Sequence, residues 1–246
     1  MPHQTERHIS LQGSVNFRDI GGYPAAEGRT VRWRRLYRSD GLSHLTEDDL
    51  AVLAPIGVSS IFDLRSHDEL THYGPATLVA THGARHHHLP FLRGNLSAIG
   101  KTELPPLGQL YEEMVEHGSE TIRALFELLT DDATYPAVVH CTVGKDRTGV
   151  AVALVLRTLG VDDQTIATDF SLTERAIDRI AAKLEANRAP EAAPIRQDLL
   201  SSDMAIMLGF LQVIDARFGG TEQVLRDSGV PLGAREQLRD LLLERS

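Results

Sequence analysis

The 246-residue chain contains a single cysteine. One thiol cannot close a disulfide within the chain, nor can it supply the several ligands of a structural zinc site. Long hydrophobic runs are also missing. No stretch approaches the ~18–20 uncharged apolar residues that span a bilayer. Positive charge is in deficit, with 25 basic against 34 acidic residues and a formal net charge of -9. Such a chain gains little counterion-release affinity for nucleic acid, so no nucleic-acid partner is expected. Any anionic substrate must be held by a local positive site. The first residues, MPHQTERHISLQ, are polar and mixed in charge and do not read as a signal peptide, so a cytoplasmic protein is expected, with export by another route left open. What is present is a 42% hydrophobic content, too rich for a disordered chain.

Apolar periodicity and turn residues divide the chain into a loosely docked arm (1–12) and one domain (13–246). Residues 30–37 alternate as one strand, and 13–30 are turn-rich. Thr46 starts a helix, with Asp49 placed for a capping box and Gly57 as its end. Residues 58–64 and 137–140 read as buried strands, and 85–92 as an extended segment. Helical patterns cover 109–117 and 119–130. The helix after residue 147 is apolar on nearly every side and so belongs in the middle of the fold, with Gly160 as its cap. From 162 to 246 the pattern is mostly helical. Strands alternating with helices and then a run of helices predict an α/β fold: a central, mostly parallel sheet flanked by helices, with a helical C-terminal layer or lid. Two stretches, 93–108 and 162–200, are candidates for that lid.

The informative segment is 138–149, VVHCTVGKDRTG. An apolar strand ends in Cys141, and Arg147 and Thr148 follow at the start of a helix. A strand-to-helix loop can turn successive backbone N–H groups inward and make an anion nest, to which the helix N-terminus adds partial positive charge. Thr142, Val143, Gly144, Lys145, Asp146 and Arg147 would form this phosphate cradle, with Arg147 supplying a planar fork matched to two phosphoryl oxygens. The same field favours the Cys141 thiolate, the nucleophilic form. The implied reaction is attack of sulfur on phosphorus, a phosphocysteine intermediate and its hydrolysis, with no metal or cofactor.

Cys-x5-Arg-Thr after a strand resembles the signature loop of the cysteine-dependent protein-tyrosine phosphatases. HCTVGKDRTG resembles more narrowly that of the bacterial PtpB-type enzymes, which act on phosphotyrosine, on both protein phosphoester types and on phosphoinositides. The segments NFRDIGG (16–22), LYRSD (36–40) and DLRS (63–66) with Glu69 support this subgroup. The resemblance implies a tyrosine-phosphatase-like fold and a phosphorylated protein or phosphoinositide as partner, with inorganic phosphate as product. It makes Cys141 the nucleophile, Arg147 the phosphate-binding arginine and Thr148 the hydroxyl that assists departure of sulfur. His140 would support the low thiol pKa, Lys145 and Asp146 would bear on substrate choice, and Arg38 would approach the phosphate site. A phenolate leaves poorly unless protonated, so a carboxylic acid is expected beside it. Asp63, at the end of a strand, is the first choice and Asp146 the alternative; Asp146 has a rival reading as structural partner of Lys145 or Arg38.

Other features carry less. His86, His87 and His88 alternate across a strand and cannot all converge on a metal. Residues 94–102 imitate a Walker A loop with its first glycine misplaced, and Asn95 opens a glycosylation sequon. The competing functions are a phospho-ligand binding module without turnover and a sulfurtransferase using the same cysteine.

Overall fold

A computed structural model describes residues 7–91, 106–186 and 200–245. Its centre is a five-stranded sheet in the order β1-β3-β6-β4-β5. The strands are β1 (Arg18–Asp19), β3 (Leu36–Ser39), β6 (Ala137–His140), β4 (Ser60–Asp63) and β5 (Arg85–His88). The last four run parallel, and β1 is antiparallel at one edge. A parallel sheet is covered on both faces, and side chains alternate between them. Leu36, Ala137, Val139 and Phe62 enter the larger core; Tyr37, Val138 and Ile61 enter a smaller one.

The smaller core is closed by α1 (Glu47–Leu53) and α3 (Thr77–His82), with α2 (His67–Tyr73) between them in sequence. The Thr46 capping box forms with Asp49, and Gly57 ends that segment at φ 66°. The larger core is built round α6 (Asp146–Leu159), in which every residue after Asp146 except Arg157 is buried. Around it lie α4 (Leu107–His117), α5 (Ser119–Leu129), α7 (Asp163–Ser171), α9 (Met204–Phe218), α10 (Thr221–Asp227) and α11 (Ala234–Leu242). The remaining helix, α8 (Ile177–Ala186), places Ile180 against Val15 and Leu200 in a small third cluster. Among the described residues, no helix is long and apolar enough to cross a membrane.

Three elements depart from the sequence reading. The segment 30–37 is two strands, not one. β2 (Arg29–Val31) pairs instead with β7 (Leu243–Arg245), a strand hidden at the end of a helical pattern. The chain turns between β2 and β3, with Arg34 at φ 61°. Asp19 Oδ2 accepts from the Arg34 N–H at 2.7 Å, and any side chain on Gly21 would collide with the Trp33 backbone. Third, the turn-rich stretch before β2 contains the two-residue β1. Most of 93–108, including the Walker-like stretch and the sequon, lies outside the described residues, as do 1–6 and 187–199.

The register matters for the site. Ser39 and Asp63 both lie opposite His140, so β3, β6 and β4 end at one level. The loops that follow them meet at the carboxyl ends of the strands, where open α/β sheets bind ligands.

Candidate active site

The loop from Cys141 to Lys145 joins β6 to α6, which opens with Asp146 and Arg147. Cys141 is 2% exposed, and the Gly144 N–H points at its Sγ over 3.2 Å. Gly144 has φ 72°, and a Cβ there would strike the Ser39 carbonyl. The loop's carbonyls are drawn outward. The Thr142 carbonyl accepts from Gly41 N at 3.1 Å, and the Val143 carbonyl from Asn16 Nδ2 at 3.2 Å. The Gly144 carbonyl accepts from Asn16 Nδ2 at 3.3 Å and from Arg38 at 2.8 Å. A planar trans peptide places its C=O and N–H on opposite sides, so carbonyls tied outward turn the next N–H groups inward. The Val143 side chain packs beside the Val15–Ile180 cluster.

Behind the loop stands Asp169 of α7. It accepts from Arg18 Nε at 3.1 Å, from Arg38 at 2.5 Å and from the Tyr23 hydroxyl at 2.9 Å. All four side chains are buried. Burial alone would raise the Asp169 pKa, but Arg18 and Arg38 hold it well below the ordinary carboxylate range. Arg38 therefore braces the cradle from outside: two of its nitrogens are engaged by Asp169 and the Gly144 carbonyl. Asp40 ties down residues 15 and 16 by accepting both backbone N–H groups, at 2.9 and 3.0 Å, and Lys183 Nζ bonds it at 2.8 Å. Asp169 carried no sequence signal, because it lies 131 residues from Arg38 and 151 from Arg18.

In front of the loop stands Glu69. Arg147 grips it with both terminal nitrogens, at 2.5 and 2.8 Å, and the Thr142 hydroxyl donates to it at 2.6 Å. Glu69 also closes the capping box of α2 by accepting from Ser66 N at 2.9 Å. Burial would raise its pKa, but Arg147 and Thr142 hold it down to about 2. Two polar atoms beside the cradle, Arg147 Nε and the buried Thr148 Oγ1, have no partner among the described residues.

The two acid candidates stand in different environments. Asp63 is fully buried. It accepts from Arg65 N, Nε and a terminal nitrogen at 3.1, 2.8 and 2.6 Å, and lies 3.1 Å from His86 Nε2. Despite burial, His140, Arg65 and His86 drive its pKa far below the ordinary range. Both oxygens of the Asp63 carboxylate are thus engaged, by nitrogens of Arg65 and His86. Asp146 is the first residue of α6, directly after the loop, and is partly exposed. Its Oδ1 accepts from the Tyr111 hydroxyl and from Lys145 Nζ, both at 2.7 Å, and Oδ2 has no partner among the described residues. The Lys145 ammonium is buried and also donates to the Ser201 carbonyl at 3.0 Å. His140 is buried, with Nδ1 3.2 Å from the Cys141 carbonyl oxygen. In the histidine run, His86 faces Asp63, His88 Nε2 lies 2.8 Å from the Arg65 carbonyl, and His87 packs on Phe62.

Known proteins resemble this chain over most of its length. The sequence profile of the tyrosine phosphatase family matches residues 9–244. The chain is 27% identical to the triple specificity protein phosphatase PtpB of Mycobacterium tuberculosis, over 95% of this chain and 98% of that one. It is 30% identical to a putative tyrosine-protein phosphatase of Cupriavidus necator, over 92% and 85% of the two chains. A tyrosine-protein phosphatase of Nostoc commune is 25% identical over 88% and 76%.

Proposed function

The chain belongs to the tyrosine phosphatase family, and from that premise we propose that it hydrolyses phosphotyrosine by covalent catalysis at Cys141. The observation that carries this reading is the loop itself: carbonyls 142–144 bonded outward, with the Gly144 N–H aimed at the Cys141 sulfur. A phosphoryl group in this nest presents phosphorus to the thiolate. Sulfur forms the new bond as the phosphorus–oxygen bond to the tyrosine breaks. Asp146 gives a proton to the departing oxygen. Its placement at the start of α6 beside the loop, with one carboxylate oxygen unpartnered among the described residues, favours it over the fully engaged Asp63. Arg147 turns its fork from Glu69 towards the phosphoryl oxygens and stabilises the charge that builds on them. Water then attacks phosphorus, Asp146 takes its proton, and the thiolate leaves with the unpartnered Thr148 hydroxyl ready to donate to it.

The range extends to phosphoserine, phosphothreonine and phosphoinositides. The support is likeness to PtpB, whose name declares triple specificity. The test is a panel of tyrosine and serine phosphopeptides and phosphoinositides, with a chelator present. Cys141→Ser is expected to lower turnover by roughly 10⁵-fold or more while still binding phosphate. Asp146→Asn is expected to lose about 10²-fold or more on phenyl phosphate and far less on p-nitrophenyl phosphate, which needs no proton. Activity that survives Cys141→Ser overturns the proposal.

A further inference from the structure

Asp63 is buried, ionised and close to the nucleophile, yet the reaction above does not use it. Its position across the sheet points to another task. Asp63 lies opposite His140 in the β4–β6 register. The His140 Nδ1 faces the Cys141 carbonyl oxygen at 3.2 Å, so that nitrogen carries a hydrogen. The other nitrogen, Nε2, lies 3.7 Å from Asp63 Oδ2 and makes no hydrogen bond among the described residues. A fully buried ring nitrogen without a partner is costly. A proton on Nε2 would set a charged ring against the Asp63 carboxylate across 3.7 Å, longer than a hydrogen bond but within ion-pair reach.

The groups facing this ring are few. Burial pushes the His140 pKa down and prevails, leaving it below the ordinary histidine value; Asp63 pulls it up, Arg65 pushes it down, the Cys141 carbonyl pulls it up, and His86, reaching Asp63 from β5, pushes it down. Asp63 is thus the one ionised side chain that favours the charged imidazole. The sulfur itself is faced by Arg147 and by Tyr111 of α4.

We propose that Asp63 is a positioning residue that acts on Cys141 through His140, fixing the imidazole between its carboxylate and the Cys141 carbonyl and favouring the charged ring one residue from the thiolate. This rests on the reading of Cys141 as the nucleophile. The closing experiment needs no substrate, so it separates failure of this proposal from failure of that one. Cys141 is the only cysteine, so alkylation by iodoacetamide, followed by intact mass from about pH 4 to about pH 9, reports one thiolate.

Asp63→Asn is expected to move the midpoint of the alkylation profile up by about one unit, a rate loss of about tenfold at a pH below the midpoint, with the alkaline plateau unchanged. His140→Gln, which leaves the Asp63–Arg65 pair in place, is expected to move the midpoint the same way, and the double variant no further. An unchanged midpoint in Asp63→Asn overturns the proposal, above all if that variant also fails on phenyl phosphate but recovers on p-nitrophenyl phosphate, the mark of a proton donor. Additive shifts in the double variant overturn it too. Should Asp63→Asn not fold, an unchanged midpoint in His140→Gln is sufficient to reject it.

Discussion

Asp169 and Glu69 are both buried carboxylates that grip arginines beside the same loop, but from opposite sides. Asp169 faces the back of the loop, and its arginines end on the main-chain or side-chain oxygens of residues 16, 144, 169 and 173. Of the buried side-chain atoms in that network, Arg38 Nε alone has no partner among the described residues. Glu69 faces the front and holds Arg147, the residue proposed to meet the phosphoryl group. The first network sets the shape of the cradle by drawing carbonyls outward. The second keeps a guanidinium poised on an internal anion that a phosphoryl group can replace. Buried ion pairs contribute little net stability, but removing one partner costs a great deal. The two networks should therefore fail differently when broken.

The largest effect is expected at the back. Asp169→Asn leaves two buried guanidiniums without a counter-charge and should lower stability by about 3–5 kcal/mol, read by urea denaturation. Activity should fall with it, because the Gly144 carbonyl loses its brace. A stable and active Asp169→Asn would show that the back network does not shape the loop.

At the front, Glu69→Gln should reduce kcat by roughly 10–100-fold through misplacement of Arg147. Inorganic phosphate should inhibit this variant at least as tightly as wild type, since the guanidinium has lost its internal anion. If phosphate binding weakens in parallel with kcat, Glu69 is shaping the loop as Asp169 does, and the contrast between the networks disappears. Glu69 also has a pH signature. Its pKa is about 2 in the folded chain against an ordinary 4.5. The stability it contributes is present above the ordinary value and is lost as pH falls through about 2. Acid unfolding of Glu69→Gln should accordingly be shallower than that of wild type.

The smallest effect is expected at Asn16, whose amide bonds the Val143 and Gly144 carbonyls. Asn16→Ala should cost about 1–3 kcal/mol. It should lower kcat/KM more than KM changes, because Arg38 still holds Gly144. An equal loss at Asn16 and Asp169 would place the amide, rather than the carboxylate, at the centre of the back network.

Much of this was legible in the sequence for local reasons. The loop announces itself because cysteine, glycine and arginine sit within seven consecutive residues, and the capping box at Thr46 needs only four. Ser66 shows where local reading stops. The structure forms a capping box there with Glu69, a box that the sequence reading did not single out. Nothing local says that the same carboxylate reaches Arg147, 78 residues on. The strand error at 30–37 has the same origin. Alternation looks continuous there, and the turn arises from Asp19 and Gly21 in a different segment.

By itself the sequence determined the layered α/β arrangement and marked the strand–loop–helix segment round Cys141, because backbone periodicity and turn chemistry depend on near neighbours. Only the tertiary structure decided the environments of the carboxylates. Asp63, Asp146, Glu69 and Asp169 are equivalent as letters. They differ because folding places each among particular partners at a particular depth, and charge, distance and burial together decide which is fully engaged, which leaves an oxygen without a partner among the described residues and which holds an arginine.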